Sequence, residues 1–199
     1  MSQSSDLGNW LGVGGGNNLE RPVHGGIKPH ELRELGLNPE EVLDFSASVS
    51  PTGQPAGLFE ALSRVDLSAY PDPSSLELKE VLSKYLSGTH DQTITPAEIL
   101  IGNGSTELIH LIARSELFTR TTDSTTAVMI FTPTYSEYKG ACALMGARIY
   151  EFCADMNNGL KWDISKACAQ IRNVSGLKLV FLCNPNNPTG IYVGPELVK

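Results

Sequence analysis

Three stretches of this 199-residue chain carry more glycine, proline, asparagine and hydroxyl side chains than a change of direction requires: "GNGSTEL" (102–108), "TPTYSEY" (132–138) and "CNPNNPTG" (183–190). A turn needs one or two such residues, for unusual dihedrals or a fixed φ. Gly104 lets the backbone approach a ligand closely, and the amides of Ser105 and Thr106 open a helix whose positive end suits a phosphate. Tyr135 offers a flat ring for stacking. Asn187 offers a side-chain amide that can donate to a phenolate oxygen. Taken singly, each stretch also reads as ordinary structure: a strand-closing turn, a helix cap, a core aromatic. Together, a phosphate, an aromatic ring and a polar ring substituent describe pyridoxal phosphate better than a nucleotide.

These loops need elements to position them, and from Ser74 the chain alternates helices with strands. Ser74 and Glu77 form a capping-box pair, with Leu78, Val81, Leu82, Tyr85 and Leu86 on one helical face. "EILIG" (98–102) reads as a short buried strand. The helix predicted after it, Ser105 to Phe118, is apolar on several faces (Leu108, Ile109, Leu111, Ile112) and should be largely buried. "TAVMIFTP", "ARIYEFC" and "LKLVFLC" read as further strands, and "SEYKGACALMG" and "DISKACAQIRN" as the helices between them. Such alternation specifies an α/β fold, a mostly parallel sheet with helices on both faces. The three loops then follow strands at one edge, the edge where open α/β sheets bind ligands.

Upstream, "NPEEV" (38–42) has the grammar of a helix start, with Asn38 as cap, Pro39 in the first turn and Glu41 reaching back. "LDFSASVSPTG" (43–53) is an extended piece closed by Pro51 and Gly53. Residues 1–23 read as a flexible arm. Its Gly12, Gly14 and Gly16 are not a dinucleotide loop, since no strand precedes them and no apolar helix follows.

Composition narrows the partners. The net charge is −7 and no run of Lys or Arg occurs, which argues against a nucleic-acid partner. No signal-peptide pattern and no run of about 18 apolar residues is present, so a cytoplasmic protein without membrane contact is expected. Cys142, Cys153, Cys168 and Cys183 form no C-x-x-C pair and read as reduced core thiols, with no metal site. His30, His90 and His110 read as structural.

The three loops, in this order and spacing, resemble the class I and II aminotransferases of the fold-type I pyridoxal-phosphate superfamily, over roughly residues 24 to 199. The resemblance implies that Gly104, Ser105 and Thr106 hold the cofactor phosphate, that Tyr135 stacks on the pyridine ring and that Asn187 contacts the ring hydroxyl. It implies a homodimer in which Tyr70, from "YPDP", reaches the neighbour's cofactor phosphate. It further implies that residues 24–69 contribute to the small domain and the substrate site, and that residues 70–199 begin the cofactor-binding large domain. In that three-layer fold the sheet order is 3-2-4-5-6-7-1. The chain would supply strands 1 to 4, leaving "EILIG", as strand 1, without the seventh strand beside it.

"HGG" (24–26) followed by "LDFSASVSPTG" is similar to the opening of threonine-phosphate decarboxylases, which are close to histidinol-phosphate aminotransferases. This likeness implies a phosphorylated amino acid or amine as substrate, contacted by His24 and Gly25, by Asn187 and by the position of Ser48. The pattern has asparagine where this chain has Ser48 and Ser50. The family's Schiff-base lysine, its acidic partner for the pyridine nitrogen and its carboxylate-binding arginine are expected beyond residue 199. Lys199 reads as part of a helix start in "GPELVK" and takes no catalytic role. Two other readings remain: a Rossmann enzyme, whose G-x-G-x-x-G "GNGSTE" does not match, and a truncated, non-catalytic fragment.

Overall fold

The structure, a computed structural model, describes residues 24–89, 92–118 and 126–198. The predicted arm, His90 and Lys199 lie outside them. Strand β1 (Ala127–Thr132) is buried along all but its last residue, which accounts for the unbroken apolar run "AVMIF". It pairs in parallel with β2 (Arg148–Cys153) on one side and β3 (Leu177–Phe181) on the other, giving the order β2-β1-β3. These are the second, third and fourth predicted strands, in the arrangement 3-2-4 that the resemblance implies.

Side chains alternate across β1. Val128 and Ile130 join Phe181, Ala141, Cys142 and the buried residues Ile109, Ala113 and Leu117 on one face. That face is covered by α4 (Gly104–Leu117) and α5 (Glu137–Leu144). Phe131 points to the other face with Ala154, Trp162, Ala167 and Val193, where α6 (Ile164–Asn173) packs. Trp162 stands edge-on to Phe131 at 5.6 Å, and its indole N–H donates to Thr132 O at 3.0 Å. That bond holds the carboxyl end of β1, where the functional loop begins.

Three expectations are corrected. "EILIG" is not a strand: Glu98 closes a reciprocal capping box with Thr95 on the 3-10 turn Pro96–Glu98, and no described strand pairs with Ile99–Gly102. An apolar run becomes a strand only when a ladder partner takes its backbone groups. The α4 helix is buried on one face alone, for Leu111 and Ile112 are exposed. Helix α3 (Leu76–Thr89) starts not from a Ser74–Glu77 box but from Asp72, whose carboxylate accepts from the amides of Ser74 and Leu76.

The thiols also depart from expectation. Cys142 is buried, and burial pushes its thiol up to about 11. Cys153 and Cys168 are exposed and Cys183 is half-buried, so one of the four is a core thiol. Upstream lie α1 (Pro29–Leu35), the 3-10 turn Pro39–Glu41 with its Asn38–Glu41 capping box, and α2 (Leu58–Leu62). A last short helix, α7 (Pro195–Val198), follows the third loop. Among the described residues no helix is long and apolar enough to cross a membrane.

Candidate functional site

Because all three strands run parallel, the loops after β1 and β3 emerge at one edge, and hydrogen bonds join them there. The loop after β3 is built around its asparagines. Asn184 pairs its side-chain amide with the peptide of Val193, accepting from the N–H and donating to the carbonyl, both at 2.8 Å. Asn186, 3% exposed, accepts from Thr134 Oγ1 at 2.8 Å and donates to Pro133 O at 2.9 Å and Thr189 Oγ1 at 2.8 Å. Two asparagines of the motif therefore hold the loop's shape and clasp it to the loop after β1. The third, Asn187, keeps an exposed side chain at the same edge.

The loop after β1 continues into Tyr135, whose hydroxyl lies 2.9 Å from Thr106 Oγ1 on the first turn of α4. Gly104 enters that helix with φ of +79°, a conformation other residues adopt at a steric penalty. Asn103 precedes it without a side-chain cap, its own amide donating instead to Glu107. Gly104 N–H donates to Gly102 O at 2.9 Å, and the amides of Ser105 and Thr106 are left to a ligand or to water, at the helix end that favours negative charge. An aromatic ring, two hydroxyls and an uncapped helix start meet within one hydrogen-bonded cluster. This donor set fits a phosphate joined to an aromatic ring.

His24 reaches the same cluster from the amino-terminal segment. Its ring centroid is 5.6 Å from that of Tyr135, and its Nε2 is 2.6 Å from Glu137 Oε1. His110 of α4 places its Nε2 3.0 Å from Glu137 Oε2. One carboxylate, 6% exposed, therefore spans two imidazoles. Burial pushes the Glu137 carboxyl up, but the hydrogen bonds of His110 and His24, with the charge of those rings when protonated, outweigh burial and hold it below its usual range. A folded value lowered in this way makes the bridge's contribution to stability full above the unfolded value of 4.5 and lost as pH falls through the lowered one.

The other candidates sit differently. Gly25 is required by packing, since a Cβ there would fall 1.8 Å from Ser46 O. Ser48 and Ser105 are exposed, and Tyr70 is fully exposed with no contact to the cluster. Glu137 was not among the predicted site residues, because a glutamate opening an amphipathic helix ordinarily faces water. The available signal was its place between Tyr135 and Tyr138, at the helix start nearest the ligand edge. Tyr138 packs on Phe181 at 4.8 Å, which turns that helix start inward.

Comparison with known proteins identifies the family of the chain. The family described as "Aminotransferase class I and II" matches residues 40–199. A threonine-phosphate decarboxylase from Salmonella typhimurium is 35% identical over 183 residues, covering 91% of this chain and 46% of that protein. A histidinol-phosphate aminotransferase from Desulfitobacterium hafniense is 35% identical over 195 residues, covering 92% of this chain and 49% of that protein. Among solved structures, an aspartate aminotransferase from Thermotoga maritima superposes with a TM-score of 0.69 at 21% identity, over 85% of this chain and 44% of that one. The chain spans a little under half the length of these three relatives. It has the fold of the pyridoxal-phosphate transferases and belongs to the class I and II aminotransferase family.

Proposed function

We propose that the full-length protein is a pyridoxal-phosphate enzyme acting on a phosphorylated amino acid or amine, in the manner of a threonine-phosphate decarboxylase. The observation that carries this reading is the Thr106–Tyr135 contact, which sets an aromatic ring against the uncapped start of α4. In this reading Gly104, Ser105 and Thr106 hold the cofactor phosphate, Tyr135 stacks on its ring and Asn187 reaches the ring substituent. Pyridoxal phosphate supplies an electron sink for bonds at the carbon bearing the substrate's amine. The chain's own residues bind and orient the cofactor and the substrate. Residues 24–69 belong to the substrate side and residues 70–199 to the cofactor domain, in a cytoplasmic protein.

The decarboxylase reading rests on His24 and the glycines after it, which stand where that group contacts its phosphorylated substrate. Full-length protein supplied with threonine phosphate should release carbon dioxide without 2-oxoglutarate. A second reading, histidinol-phosphate aminotransferase, is favoured by the likeness to the Desulfitobacterium protein. Amino transfer from histidinol phosphate that depends on 2-oxoglutarate, with no carbon dioxide from threonine phosphate, would replace the first reading with the second.

Tyr70 fits a symmetric dimer in which it reaches the partner's cofactor phosphate, being fully exposed on its own chain. Tyr70→Phe should weaken cofactor binding by about tenfold, the worth of one hydrogen bond to a charged group, and leave the melting temperature unchanged. Unaltered cofactor affinity would remove Tyr70 from the site.

A further inference from the structure

The Glu137 bridge ties together three parts of the chain that are far apart in sequence: the amino-terminal segment through His24, α4 through His110, and α5 through Glu137 itself. Its geometry constrains the protons. An ionised carboxylate accepts and cannot donate, so each imidazole that bonds to it must carry a proton on Nε2. Both rings meet Glu137 through Nε2, one on each oxygen. The bond therefore fixes the tautomer as well as the ring plane. His24 Nδ1 has no hydrogen-bond partner among the described residues, and the His24 side chain is 49% exposed beside Tyr135.

We propose that Glu137 is a positioning residue for substrate recognition. It locks His24 beside Tyr135 with Nε2–H on the carboxylate, so that the ring, when protonated beside that negative charge, donates Nδ1–H to the anionic group of a phosphorylated substrate, while His110 fixes the second carboxylate oxygen. The inference rests on the reading of a phosphorylated substrate given above. It adds to that reading a buried glutamate and a helix histidine, which act through His24 and not on the substrate. The arrangement parallels other buried carboxylates that hold an imidazole for work at its opposite nitrogen.

The test uses full-length protein and three variants: His24→Gln, Glu137→Gln and the double variant. Glu137→Gln keeps the volume and one acceptor oxygen but puts an NH2 donor in place of the other, so one imidazole must either lose its bond or turn its Nε2 into an acceptor. If Glu137 acts through His24, either single variant should raise KM for the phosphorylated substrate by about tenfold or more with kcat changed much less. The double variant should be no worse than His24→Gln. Additive losses, or a fall in kcat with KM unchanged, would overturn the positioning role. A second readout needs neither substrate nor turnover. Long-range nitrogen-15 NMR of the imidazole rings should show the Nε2–H tautomer for neutral His24 in the parent protein and a tautomer mixture in Glu137→Ala. Inorganic phosphate, added at a pH where the ring is protonated, should perturb the His24 signals in the parent and not in Glu137→Ala. A His24 ring that carries its proton on Nδ1 in the parent would overturn the inference even in a fully active enzyme. The expected tautomer together with no turnover of any phosphorylated substrate would instead sink the functional reading, and with it the ligand assigned to Nδ1.

Discussion

Residues 1–199 expressed by themselves should bind a hydrophobic dye, and should unfold without a sharp cooperative transition. Among the described residues the sheet has two open sides, since β2 and β3 each pair with β1 alone. Open edges leave rows of backbone donors and acceptors that recruit other chains. The stretch Ile99–Gly102 has no ladder partner among the described strands, and each unpaired polar group that becomes buried costs about 1–3 kcal/mol. Large apolar side chains lie in the open along the upstream part of the chain, among them Phe45, Phe59, Leu67, Leu76, Val81 and Tyr85. Leu111 and Ile112 extend this surface along α4. Against a net stability of about 5–15 kcal/mol for an ordinary domain, these losses are decisive. The measurement is a thermal melt followed by circular dichroism, with dye fluorescence before and after. A single sharp transition and no dye binding at room temperature would show that the piece is self-sufficient.

Asn186→Ala should be the most damaging single change at the ligand edge. Its side chain makes three hydrogen bonds, two to the loop after β1 and one within its own loop, all from a buried position. With a net worth of about 1 kcal/mol for each, the loss should be about 3 kcal/mol in the full-length protein. Asn187→Ala, one residue on, should change stability by less than about 0.5 kcal/mol, since that side chain is exposed. Cofactor affinity should fall in both variants, in the first because the loop loses its shape and in the second because a contact is removed. Denaturant midpoints separate the two cases. Equal midpoints for the two variants would show that the asparagines are not divided between support and binding in this way.

The sequence made the sheet legible where an element carries its own boundaries. The runs that became β1 and β3 are apolar and end in Pro, Asn or Gly, and the helices between them have a 3.6-residue period, so the alternation followed, while the strand order came from the family resemblance. "EILIG" has the same local appearance as those runs and failed, because strand character there depends on a neighbour and not on the run itself. The ligand edge was legible through its three motifs. Within them, sequence could not assign which asparagine faces inward, a matter settled by Thr134, 52 residues before Asn186. The Glu137 bridge was invisible for a related reason. Its partners stand 27 and 113 residues away, and each is an ordinary histidine in an ordinary context until the fold brings them to one carboxylate.

That span of 113 residues between His24 and Glu137 also has a timetable. A ribosome adding about 5–20 residues per second delivers Glu137 roughly 6 to 23 seconds after His24. Throughout that interval the amino-terminal segment lacks this tie, and its Leu43, Phe45 and Phe59 stay exposed even in the folded chain. The nascent protein therefore carries a sticky leading end throughout synthesis, and gains its His24 tie only once Glu137 has been translated. A chaperone that shields the first seventy residues during synthesis should raise the yield of folded protein more than one that acts after release.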